Sequence, residues 1–170
     1  MRTEGLKAIA AGVLCAALAG CAARGIEETY TDTKKGFEIV FPRLWGAWQD
    51  KNGVMIATHR RVTTGAAKVT VTTVEEGAGL RSFFQNPRNR FDLLGYELTG
   101  IQKCTVAGTS ALKLEVVAPV DPDRTRITLY YLVSGGRGYT IWFQASTVQF
   151  GEFANDIDAI VKSFKLLKTE

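Results

Sequence analysis

Phe150, Phe153, Ile157, Ile160, Val161 and Phe164 recur at helical spacings near the end of this 170-residue chain. They form one apolar stripe, with Glu152, Asp156 and Asp158 lying off it. Ser146 and Gln149 have the S-x-x-Q spacing of a capping box, which predicts a helix near 148–162. A single strong amphipathic helix must find an apolar surface to lie on. The rest of the chain offers that surface as β-strands, so the pattern predicts an α+β fold.

Phe37, Ile39 and Phe41 alternate with Glu38 and Val40 between Gly36 and Pro42, as one strand face should. Leu44, Trp45 and Trp48 follow and read as a short aromatic turn. Val54 to Arg61 and Lys68 to Glu75 are strand candidates joined by Thr63-Thr64-Gly65. Leu80, Phe83, Phe84, Phe91 and Leu94 change the period to that of a helix, so a helical segment is expected near 80–94. Pro87 divides it, with Asn86 capping a restart. Strand signals return at Glu97 to Val106, Ser110 to Ala118, Arg124 to Val133 and Tyr139 to Ala145. Their turns are Ala107-Gly108-Thr109, Asp121-Pro122-Asp123 and Gly135-Gly136-Arg137-Gly138. The last two strands carry large apolar groups on both faces, as central strands do.

The N-terminus has a different chemistry. Arg2 and Lys7 precede a thirteen-residue apolar run from Ala8 to Gly20, and Leu18-Ala19-Gly20-Cys21 closes it. A membrane-crossing helix needs about 20 residues, whereas a secretory h-region is shorter. The segment resembles a bacterial lipoprotein signal with its lipobox, cut before Cys21, which then carries lipid such as palmitate. An ordinary cleaved signal and a structural helix are the alternatives. The division that follows is 1–20 signal peptide, 21–29 lipidated cysteine and tether, and 30–170 one domain. Ala22 stands where inner-membrane lipoproteins often carry aspartate. By resemblance to that sorting rule, the expected location is the outer membrane facing the periplasm, if the source is Gram-negative.

Without residues 1–20, 150 residues remain, carrying 19 basic and 16 acidic side chains. A net charge of +3 without a basic stripe gives no nucleic-acid footprint. Cys104 would be the sole free thiol, so no disulfide can form within one mature chain. His59 is the single histidine, which limits any histidine-based triad or multi-histidine metal site to that residue. It reads as a polar strand-end residue, and Cys104 as a buried structural cysteine. Gly135-Gly136-Arg137-Gly138 leads into a strand, whereas a phosphate cradle leads into a helix N-terminus. Asp121-Pro122-Asp123 lacks the full set of oxygen ligands for calcium. Glu75-Glu76 closes a strand before Gly77 and has no identifiable partner carboxylate. No catalytic residue, metal ligand or cofactor is assigned. Trp45, Trp48 and Trp142 are the candidates for a binding surface, since tryptophan pairs a large ring with a polar handle. Trp142 either lines a groove or packs beneath the 80–94 helices.

Several core and turn residues carry a resemblance. They are Gly36-Phe37-Glu38-Ile39, Phe41-Pro42 and Trp45, then Val106-Ala107-Gly108 through Leu112-Lys113. Arg137-Gly138-Tyr139, Phe153 and Ile160-Val161-Lys162-Ser163-Phe164 complete the pattern. The chain resembles the PsbP-like fold of the photosystem-associated PsbP proteins, the Ran-binding Mog1 proteins and bacterial DcrB-type lipoproteins. That resemblance implies an α/β/α sandwich around a central antiparallel sheet of about six or more strands. It supplies no functional motif to carry over. The expectation is a non-enzymatic accessory domain of the cell envelope, attached to the membrane through Cys21 and binding a protein partner. The alternatives are a small-ligand binder with an aromatic-lined pocket and, less favoured, a Cys104- or His59-dependent enzyme.

Overall fold

Tight glycine turns set the register of the larger sheet. Gly135 and Gly136 both have positive φ, at 58° and 77°, and close the hairpin between the strands Thr125–Ser134 and Arg137–Ser146 in two residues. That turn is the hairpin read from the sequence. Ala107 and Gly108 do the same between the strands Glu97–Val106 and Thr109–Val117, with φ of 50° and 72°. The computed structural model describes residues 27–60, 68–75, 79–81, 83–85, 95–118 and 125–168. The expected lipobox with Cys21, residues 22–26 of the expected tether, Arg61 and Thr63-Thr64-Gly65 lie outside the described residues. So do Glu76-Gly77, the Asn86–Pro87 restart with the rest of 86–94, and Asp121-Pro122-Asp123.

The strands are β1 (Glu28–Asp32), β2 (Phe37–Phe41), β3 (Trp45–Gln49), β4 (Met55–His59) and β5 (Lys68–Glu75). They continue as β6 (Glu97–Val106), β7 (Thr109–Val117), β8 (Thr125–Ser134), β9 (Arg137–Ser146) and β10 (Lys165–Leu166). A seven-stranded antiparallel sheet runs β3-β4-β5-β9-β8-β7-β6, and β1-β2-β10 form a separate three-stranded sheet. Strands β8 and β9 are central, and both bury side chains on both faces, as their sequence suggests.

One face of the large sheet lies against the C-terminal helix, α2 (Ala154–Ser163), which a 3₁₀ turn, Phe150–Phe153, leads into. Phe150, Phe153, Ile157, Ile160 and Phe164 are buried with Ile141 and Phe143 of β9 and with Phe37, Ile39 and Phe41 of β2. Each such side chain contributes about 1.5–3 kcal/mol through burial. Ser163 fastens the helix end to β2: its hydroxyl accepts from the Val40 N–H at 2.9 Å and donates to the Ile160 carbonyl at 2.7 Å. The opposite face packs Leu114, Val116, Ile127, Leu129 and Tyr131 with Phe84, and Leu80 and Phe83 lie against them. Leu80 and Arg81, then Phe83 to Gln85, are helical and form α1. The chain is thus mostly β with one full helical layer; among the described residues the other layer is this short segment.

Four local readings change. Trp45–Gln49 is strand β3, because pairing with β4 and burial of Trp45 outweigh the turn character of Leu44 to Trp48. Strand β1 takes Glu28 and Thr29 out of the tether, since antiparallel pairing with β2 satisfies their backbone. The Lys165–Leu166 strand follows the helix through pairing with Glu38 and Phe37. Finally, the Ser146 hydroxyl does accept from the Gln149 N–H at 3.3 Å, but this caps a turn. The regular α-helix begins at Ala154, after the 3₁₀ segment.

Candidate functional site

Period-two alternation puts Lys113 and Glu115 of β7 on the same face as Arg126, Thr128 and Tyr130 of β8. Their register, Lys113 opposite Tyr130 and Glu115 opposite Thr128, makes a contiguous polar floor. Helix α2 packs chiefly over β2 and leaves this part of its sheet face open. The result is a groove of about 360 Å³. Phe150, Gly151, Ala154, Ile157 and Asp158 form its wall.

Glu115 is the electrostatic centre of the floor. Lys113 Nζ donates to its Oε1 at 2.7 Å, and Arg126 Nη2 donates to its Oε2 at 3.2 Å. The Lys113 hydrogen bond, then the charges of Lys113 and Arg126, hold this carboxyl below its ordinary range against partial desolvation. Arg126 also stacks on Phe150, with its guanidinium carbon 4.7 Å from the ring centroid. Its Nε is buried without a hydrogen-bond partner. Asp158, on the wall, already pairs with Lys162 at 2.6 Å. Two cations therefore share one carboxylate, and the floor carries net positive charge with a guanidinium locked in place.

Tyr130 is pushed up to about 12, first by burial and then by Cys104, Glu115 and Asp158. The unfolded phenol ionises near pH 10, before the folded one, so its contribution is present below pH 10 and is lost as pH rises towards 12. With partial exposure discounting it, that contribution is roughly 2 kcal/mol. Denaturant titrations at pH 9 and pH 11.5 should show a stability loss that Tyr130→Phe visibly reduces. An unchanged pH slope in that variant would contradict the assignment.

The residues singled out from sequence do not converge on this groove. Trp45 is fully buried, and its Nε1 donates to Asp156 Oδ2 at 2.9 Å, so its place is the core and not a binding surface. Trp48 is 45% exposed on β3. Trp142 packs partly buried beside the cluster that includes Phe84, on the face opposite the groove, and donates to Gln144 Oε1 at 3.1 Å. His59 stacks edge-on with Trp45 and Phe153, at 5.6 and 5.2 Å. That is aromatic packing at a strand end. Cys104 is partly buried against the helix-side core, and burial pushes its thiol pKa up, away from nucleophilic reactivity. The groove residues were visible in sequence as Lys113 and Glu115 alternating with Leu112, Leu114 and Val116. What marks them as a site is that, among the described residues, α2 borders them as a wall and no helix covers them.

Among the described residues, no group of three or more His, Cys, Asp or Glu side chains is placed to hold a metal. No described helix is long and apolar enough to cross a membrane.

The architecture recurs in solved structures. The cyanobacterial PsbP protein, CyanoP, of Synechocystis sp. PCC 6803 superposes with a TM-score of 0.65 at 17% identity, over 88% of this chain and 98% of that one. The chain has a PsbP-like fold. LpqN of Mycobacterium tuberculosis, described as involved in cell envelope biogenesis, superposes on the PsbP-like domain with a TM-score of 0.66 at 11% identity. That match covers 84% of this chain and 91% of LpqN. A Pseudomonas aeruginosa protein of unknown function, a putative regulator, matches at 0.59 and 10% identity over 82% and 96% of the two chains. The sequence matches no family model and no curated protein. At these identities the likeness speaks for the fold.

Proposed function

We propose that this PsbP-like domain is a non-enzymatic accessory lipoprotein of the cell envelope that binds a protein partner through the groove beside α2. The carrying observation is Arg126, held between Phe150 and Glu115 with its side chain still 38% exposed to the groove. A guanidinium fixed in this way recognises a partner carboxylate at little entropic cost. The lipobox supports attachment through lipid on Cys21, and the likeness to LpqN supports an envelope location. For a Gram-negative source the location is the outer membrane facing the periplasm. The proposed complete architecture is an α/β/α sandwich.

Crosslinking in intact envelopes followed by pull-down tests this reading, comparing the native protein with Arg126→Glu. One partner should be enriched with the native form and reduced about tenfold or more by the charge reversal, the value of a charge-assisted contact. Equal recovery with both forms, or recovery of the domain alone, counts against it. A second reading, small-ligand binding, is favoured by the groove volume, which lies within the range of small-molecule sites. It predicts ligand-dependent thermal stabilisation that Arg126→Glu abolishes.

A further inference from the structure

We propose that the outer strand β3 is a second membrane contact, a lipid-surface docking edge acting beside the lipid on Cys21; it rests on the anchored reading above. The chain enters the fold at Glu28, whose carboxylate accepts from Arg60 Nη2 at 3.3 Å just beyond β4. The neighbouring residue, His59, pairs with Trp45, the first residue of β3. The point of entry therefore lies beside the outermost strand of the large sheet. Six residues separate Cys21 from Glu28, and an extended chain of that length spans no more than about 25 Å. Strand β6, at the far edge of the sheet, is six strand spacings from β3, about 29 Å. A lipid on Cys21 thus holds the β3 edge nearer the bilayer than the β6 edge.

The side chains of that edge suit an interface. Alternation sends Trp45 into the core and Trp48 to the opposite face, where it is 45% exposed. Ile56 of β4, partly exposed, pairs directly with Trp48 on that face. Arg60 lies over Gly46, where an added Cβ would come within 3.1 Å of its Nε. Arg43 and Lys51, both exposed, stand at either end of the strand. An indole flanked by cations matches the headgroup region, where tryptophan settles at the boundary and Lys or Arg meets anionic lipid. The same orientation leaves the groove on β8 and β7 four to five spacings from the membrane edge, roughly 19–24 Å away, open to a partner.

The test uses the native lipidated protein reconstituted into vesicles of phosphatidylethanolamine and phosphatidylglycerol, with and without bromine-labelled acyl chains. Mass spectrometry first establishes whether Cys21 carries lipid; its absence would defeat the anchored reading itself. With lipid present, brominated chains should quench tryptophan emission, and Trp48→Phe should remove about half or more of that quenching, because an interfacial indole lies within reach of the acyl chains. Arg43→Glu combined with Lys51→Glu, both at exposed positions, should weaken quenching in anionic vesicles and have little effect in phosphatidylcholine. Lipidated protein whose emission is not quenched, or is quenched equally after Trp48→Phe, overturns the docking edge. Crosslinks joining Trp48 edges of two copies would also overturn it, assigning the surface to self-association.

Discussion

Replacing Trp45 by alanine is expected to cost about 3–5 kcal/mol of folding stability. Trp45 is fully buried where β3, β9 and the 3₁₀ turn meet, with ring centroids of Phe143 and Phe153 at 5.8 and 6.0 Å. His59 closes the same cluster edge-on. Removing the indole deletes the largest fully buried side chain of the core and leaves a cavity that rigid strands cannot close. It also leaves Asp156 without the indole donor that ties α2 to β3. Trp45→Phe keeps most of the ring contact and loses the hydrogen bond, so about 1–2 kcal/mol is expected. Urea titrations followed by circular dichroism would show a lower midpoint with an unchanged slope. A cost below about 1 kcal/mol for the alanine variant would mean that the cluster is not a keystone of the fold.

Gly138→Ala is the second large effect, and its cause is space. In β9 this glycine faces Phe83, and an added Cβ would lie 2.7, 2.8 and 2.9 Å from three atoms of that ring. The ring belongs to the helical segment on the sheet face opposite α2, where it also packs edge-on against Tyr131 at 5.8 Å. The methyl must push the segment off the sheet or bend the central strand, at a cost of about 1–3 kcal/mol. Phe83→Ala removes the obstacle, so the double variant should lose less than the two single losses added together. A double-mutant cycle reads this coupling directly. Strict additivity would show that Phe83 does not cover Gly138 in solution.

Much of the larger sheet was legible because its strands are long and punctuated by glycine. β6 to β9 follow the expected segments, and the β8–β9 turn is a two-residue hairpin because both glycines adopt positive φ. The apolar stripe from Phe150 to Phe164 correctly marks the face that meets the sheet. Short elements were harder. Glu28–Asp32 carries a single large apolar residue, Tyr30, so nothing local distinguishes it from a tether; pairing with β2 makes it a strand. Trp45 and Trp48 look alike in sequence, yet one fills the core and the other is exposed. A strand only five residues long gives too few alternations to separate them before β4 is in place.

The groove shows the same division. Sequence alone determines that Lys113 and Glu115 share a face of β7 and that the terminal helix carries one apolar stripe, because both follow from backbone periods of two and 3.6. It also carries Leu18-Ala19-Gly20-Cys21, the basis of the expected lipid anchor. Only the tertiary structure decides that α2 lies over β2 and stops short of β7 and β8. That placement brings Phe150 onto Arg126 and Asp158 to the rim, across sequence separations that no local pattern can encode. Periodicity assigns each side chain to a face, while packing against distant elements decides which faces are covered and which stay open to a ligand.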